Sequence, residues 1–123
     1  MASYSFTIIG RLPGANDYIL ACRSNHHKAN KLKQDAQSLI IKSANGFGIK
    51  PIKKPVFVEF KWFEKNERRD LDNVAFAKKF ILDALTECGI LQGDGWNYVI
   101  GFNDEFTVDK NHPRIIVILN EIE

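Results

Sequence analysis

Arg68-Arg69-Asp70-Leu71-Asp72-Asn73 sets two carboxylates one residue apart beside two guanidinium groups, and a third carboxylate follows at Asp94 within Gly93-Asp94-Gly95. Carboxylates at i and i+2 ahead of a helix can converge on one hard cation. Mg²⁺ suits such a pair, since it takes one or two carboxylates and completes its octahedron with water and substrate phosphate. Arg68 and Arg69 cannot ligate a cation, but their planar forks match phosphate oxygens. The combination suggests metal-assisted phosphodiester hydrolysis. The plainer reading of Asp-x-Asp is a turn whose side chains cap the next helix. An EF-hand does not fit, because the sixth loop position is not glycine and the twelfth is Ile81 rather than glutamate.

The flanking elements must position these groups. Val56, Val58 and Phe60 alternate as a strand leading into the carboxylates. From residue 71 to 88 the chain reads as one helix, with Val74, Ala77, Ile81, Ala84, Leu85 and Cys88 as its buried stripe. Asp72, Lys79 and Asp83 then share a meridian, with Lys79 about 10 Å above Asp72. That placement suits a lysine serving a phosphate beside a metal. Equally, Lys79 pairs with Asp83 at i+4 as an ordinary surface pair. Gly89 ends the helix as a C-cap, Ile90 and Leu91 pack inward, and the glycines around Asp94 let a tight turn expose it. Taken alone, that segment is an unremarkable Asp-Gly turn.

The remaining pattern gives a strand near 4–9, a loop through Asn16 and a helix from about His26 to Ser43. A flexible basic loop runs from Asn45 to Pro55, a strand covers 56–63, and strands at about 96–102 and 114–121 finish the sheet. Asn103-Asp104-Glu105 reads as a turn, and Asn111-His112-Pro113 breaks the chain before the last strand. Trp62, Trp96 and Tyr98 fall at strand positions and read as core or dimer-interface residues. The order β-α-β-α-β-β implies an α+β fold, a single domain over residues 1–123 with helices packed on one face of a mixed sheet.

In its central motif the chain resembles the RusA-type Holliday junction resolvases, endodeoxyribonucleases common in phages and prophages. The family signature is an Arg-rich run into Asp-x-Asp-Asn, a helix with a lysine and Asp-Ala-Leu, and a short apolar link to an aspartate. Here these are Arg68 to Asn73, Lys79, Asp83-Ala84-Leu85, Gly89-Ile90-Leu91 and Asp94. Phe6 to Ile9 and Leu12-Pro13-Gly14-Ala15-Asn16 are similar to the family's first strand and its Pro-and-Asn loop. The resemblance implies that Asp70, Asp72 and Asp94 bind Mg²⁺ or Mn²⁺ and are catalytic, with Lys79 as the essential lysine. It also implies a homodimer, since paired incisions across a symmetric four-way junction need two active sites. The lysine stands about one helical turn farther from Asp72 than in the best-known member, so Lys78 and Lys79 are both candidates. Where many members carry two adjacent acids, this chain has Gly93-Asp94.

Charge distribution agrees with a nucleic-acid partner without requiring one. The 123 residues carry a formal net charge of +2. Residues 21–54 hold eight Lys/Arg against one acid, while residues 70–123 hold four bases against ten acids. A basic half beside an acidic half fits a surface that grips phosphates next to a cation site, with Arg68, Arg69, Lys28, Lys31 and Lys33 as DNA contacts. Cys22, His26 and His27 suggest zinc, but no convincing fourth ligand accompanies them. Two separate cysteines make no disulfide framework, and no apolar run approaches a membrane span. A cytoplasmic protein of a bacterial or phage-infected cell is expected. The rival readings are a metal nuclease for flaps or other branched intermediates and a DNA-binding module that does not cut. Against the second, three anions at a phosphate-binding surface would cost affinity unless a metal offset them.

Overall fold

The computed structural model describes residues 2–122. Its elements are β1 (Ser3–Ile9), α1 (Ala15–Ser24), α2 (His26–Gly46), β2 (Val56–Glu64), α3 (Leu71–Ala75), α4 (Lys78–Glu87), β3 (Val99–Val108) and β4 (Arg114–Glu121). The four strands form one mixed sheet in the order β1-β4-β2-β3. β4 runs antiparallel to both β1 and β2, while β3 lies parallel to β2 at the sheet's edge. The α+β fold read from the sequence is the one observed. Alternation decides which face is covered: Phe6 and Ile8, Val56 to Trp62 in steps of two, and Ile115, Val117 and Leu119 all point under the helices. Ala36, Ile40 and Ala44 of α2 and Phe80, Ile81, Ala84 and Leu85 of α4 meet them in one core.

Several boundaries differ from expectation. The helix read over 71–88 is two helices, because the Ala77 N–H bonds to Val74 O and the Lys79 N–H to Phe76 O, a tighter i→i+3 turn. The kink lets Phe76 pack at 5.8 Å from Tyr18 and 5.6 Å from Phe80 between ring centres. It also breaks the phase that placed Asp72, Lys79 and Asp83 on one meridian, and it leaves Cys88 exposed rather than in the stripe. α1 was not anticipated as a helix. None of its residues is buried, so it carries no periodic apolar signal.

β3 starts later and runs farther than the expected 96–102. Tyr98 and Val99 both donate to Gly95 O, so residues 95–98 are a turn. The ladder with β2 then continues to Glu64 opposite Val108, carrying Asp104 and Glu105 as strand residues instead of a turn. Trp62 is core at 1% exposure, but Trp96 is 95% exposed. The basic segment before β2 is pinned where buried Ile52 donates to Ile90 O at 2.7 Å. Gly89 caps α4 as expected, at φ 85°. No helix among the described residues is long and apolar enough to cross a membrane.

Phe60 is fully buried at the centre of the sheet. Phe60→Ala is expected to lower unfolding free energy by about 3–5 kcal/mol, read from urea denaturation. A loss under about 1 kcal/mol would mean that the site collapses around the missing ring.

Candidate active site

Glu64 ends β2, and its carboxylate takes two prongs of the Arg69 fork, Nε to Oε1 at 3.0 Å and Nη2 to Oε2 at 2.9 Å. Nη1 of the same guanidinium donates to Leu12 O at 3.1 Å. Arg11 Nε adds a second cation 3.6 Å from Glu64 Oε1. The Arg69 and Glu64 side chains are 15% and 14% exposed, so the pair is largely withdrawn from water. Arg69 therefore spends its donors on joining the end of β2 to the N-terminal loop and does not present a free fork to phosphate. Arg68 differs: it is exposed, and its side chain has no partner among the described residues.

Past this clamp the chain turns into α3. Asp70 is the N-cap residue, with φ −64° and ψ 155°, yet its side chain makes no capping bond. The plain explanation of the Asp-x-Asp pair as helix caps is thus not realised. Asp70 faces an open cleft of about 360 Å³ shared with Glu64, Glu67 and Phe106. Asp72, in the first turn of α3, is exposed. Neither carboxylate has a side-chain partner among the described residues. Asn73 is committed, accepting the Asn16 N–H at 2.9 Å.

Asp94 lies elsewhere. It precedes β3, beside Val99 and Ile100 in a second cleft with Leu82 and Phe102. The Val56 N–H bonds to Tyr98 O, which fixes this turn at the start of β2. Asp70 follows the far end of that strand, beside Val108. The two ends of the Val56–Glu64 ladder are about 26 Å apart at about 3.3 Å per residue. Among the described residues, no three His, Cys, Asp or Glu side chains are grouped to hold a metal ion. One chain by itself does not gather Asp70, Asp72 and Asp94, and Cys22, His26 and His27 form no metal group either.

The two candidate lysines separate sharply. Lys79 is 64% exposed and pairs with Asp83 at 3.1 Å, the ordinary i+4 arrangement. Asp83 also draws Lys33 to 3.8 Å, so Lys33 turns toward α4. Lys78 is only 15% exposed and donates to Asp104 at 2.7 Å. Its ammonium lies 3.9 Å from the centre of the Phe102 ring, and the Trp62 indole N–H donates to the other Asp104 oxygen at 2.8 Å. Asp104, read from the sequence as part of a turn, is instead a strand residue committed to Lys78 and Trp62. Its signal is in the alternation Ile100, Phe102, Asp104, Phe106, which puts a carboxylate on the apolar face where it needs a partner.

Lys28 and Lys31 rim a groove of about 470 Å³ with Arg11, over a floor that includes Leu12, Pro13 and Leu32. Lys31 is tied to Asp35 in a solvated pair at 2.9 Å, whereas the Lys28 ammonium has no partner among the described residues. No protein-family model matches the chain, and no curated protein matches it at a significant level.

The two adjacent arginines should therefore behave differently. Arg69→Ala leaves Glu64 without its main partner and is expected to cost about 1–3 kcal/mol of folding stability. Arg69→Lys should not restore it, since an ammonium cannot replace a two-pronged fork. Arg68→Ala should change stability by no more than about 0.5 kcal/mol. Urea midpoints for the three variants check this, and equal losses at both positions would remove the structural assignment of Arg69.

Proposed function

We propose that the protein is a metal-dependent endonuclease for branched DNA, acting on four-way junctions as a homodimer whose active centres are each built from two chains. The observation that carries this is the pair of uncommitted carboxylates, Asp70 and Asp72, held at the end of β2 by the Glu64–Arg69 clamp. Hard oxygen donors at that spacing suit Mg²⁺ or Mn²⁺, and the resemblance of residues 68–94 to RusA-type resolvases points the same way.

The sheet edge supports the dimer reading. β3 is an edge strand of ten residues, and its own Ile100, Phe102 and Val108 are each about half exposed. Such an edge invites another strand. Antiparallel pairing of β3 with β3 about a two-fold axis sets the start of one strand beside the end of the other. Asp94 of the partner subunit then approaches the cleft that holds Asp70, across a distance that one chain does not bridge.

Bound by these carboxylates, the metal would supply Lewis-acid polarisation of the scissile phosphate and acidification of a water molecule. Asp70 and Asp72 would hold it from one chain and Asp94 from the other. Lys79, solvated and shared with Asp83, neutralises charge developing on the phosphate, and Arg68, Lys28 and Lys31 position the backbone. The cytoplasm of a bacterial or phage-infected cell is the setting that goes with this reading.

Asp70→Asn, Asp72→Asn and Asp94→Asn are each expected to abolish Mg²⁺-dependent cutting of a four-way junction while keeping junction binding. Flap, fork and linear duplex serve as comparison substrates, and preferential cutting of flaps would replace junctions as the substrate. Mixing Asp70→Asn with Asp94→Asn should restore nicking, because each mixed dimer regains one intact centre. Active single variants would remove those residues from the site. A mixture that stays inactive, although subunits exchange, would reject the two-chain centre.

A further inference from the structure

The loop between β1 and α1 touches the carboxylate turn at three places. Arg69 donates to Leu12 O. Asn73 Oδ1 accepts the Asn16 N–H at 2.9 Å. Between them, a Cβ built on Gly14 would collide with Asn73 Oδ1 and stand 2.8 Å from the Asn73 carbonyl oxygen. Gly14 has φ −90°, which any residue adopts, so the glycine is required by space and not by backbone conformation. The loop is itself held in shape, because Asp17 Oδ2 accepts the Gly14 N–H at 2.9 Å and lies 4.0 Å from Arg69 Nη1.

These contacts decide the direction in which α3 leaves β2. α3 has only five residues, too few for its own hydrogen bonds to hold it in water. Val74 is buried beneath it, but Leu71 and Asp72 are exposed. The N-terminal segment meets α3 at Asn73, through the Asn16 N–H and the close approach of Gly14. We infer that residues 12–17 are the brace of the candidate site and that Asn73 is a positioning residue. It sets the heading of Asp70 and Asp72 without touching metal or DNA. The brace bears on catalysis through the nuclease function proposed above, but its effect on α3 can be measured without cleavage.

Three variants test it: Asn73→Leu keeps the branched shape in a larger side chain and removes the acceptor, Asn73→Asp keeps an oxygen in place, and Gly14→Ala forces the backbones apart. The readout is amide hydrogen exchange at Val74 and Phe76, whose N–H groups bond to Asp70 O and Asp72 O. Val117 and Leu119 in the central strand are controls. Asn73→Leu is expected to speed exchange at Val74 and Phe76 by roughly three- to tenfold, the factor for one lost neutral hydrogen bond. Gly14→Ala should do at least as much, Asn73→Asp should exchange as wild type, and the controls should not move. On a junction, Asn73→Leu should lower kcat and leave KM unchanged. Unchanged exchange at Val74 and Phe76 in both Asn73→Leu and Gly14→Ala would overturn the brace. Lost cleavage with unchanged exchange would also overturn it and make Asn73 a substrate contact. Faster exchange in the variants, with neither wild type nor variants cutting DNA, would support the brace and overturn the nuclease reading instead.

Discussion

Parallel pairing of β2 with β3 is the constraint on which the rest of the structure depends. A parallel neighbour requires the connecting chain to travel back along the whole strand before it re-enters the sheet. α3 and α4 make that return across the covered face and bury Val74, Phe80, Ile81, Ala84 and Leu85 on the way. Residues that follow β2 and residues that precede β3 therefore stand at opposite ends of the sheet. Asp70 and Asp94 are such residues, and no adjustment of side-chain rotamers brings them together within one chain. The same topology leaves β3 as an unpaired edge. The constraint that separates the carboxylates is thus also the one that offers a way to reunite them across a two-fold axis.

At the far end of β2, electrostatics decide which charges stay available. Glu64 draws in Arg69 and Arg11, and the Leu12 carbonyl completes the guanidinium's hydrogen bonding. A largely desolvated pair of this kind is costly to break from one side, since the remaining charge stays buried without a partner. Around it, Asp70, Asp72 and Arg68 are left in solvent. A carboxylate that neither caps its helix nor meets a cation stabilises nothing in the fold, which is what a ligand for an external cation requires. The solvated pairs Lys31–Asp35 and Lys79–Asp83 contribute little to stability.

Strand alternation made most of the fold legible in the sequence. Val56, Val58, Phe60 and Trp62 and then Ile115, Val117 and Leu119 mark the covered face without ambiguity, and the stripe through Ala77, Ile81, Ala84 and Leu85 marks α4. What escaped was set by tertiary contact. α1 buries no residue, so periodicity had nothing to register there. The break after Ala75 depends on Phe76 finding Tyr18, nearly sixty residues earlier in the chain. Arg69 read as a phosphate fork because its partner Glu64 lies across a tight turn, and a linear motif does not reveal that the two are locked together. The residue types of the site were visible, but the division of its carboxylates between two ends of a sheet was not, because strand direction is not written in the motif.

Asp104 shows how a charge can be accommodated at the edge that pairing would cover. It lies on the apolar side of β3, where an isolated carboxylate would be expensive. Lys78 and the Trp62 indole supply two donors, and the Phe60 and Phe102 rings supply two faces that attract the ammonium. Every polar atom buried there is matched, and no buried side-chain nitrogen or oxygen among the described residues lacks a partner. A second strand laid along β3 would remove water from this pair without stranding either charge. It would also strengthen their attraction, because the local dielectric would fall. Lys78 thus belongs to the structure that holds β3 against α4, and Lys79, one residue later on the solvent side, spends its charge on Asp83 in an exposed pair.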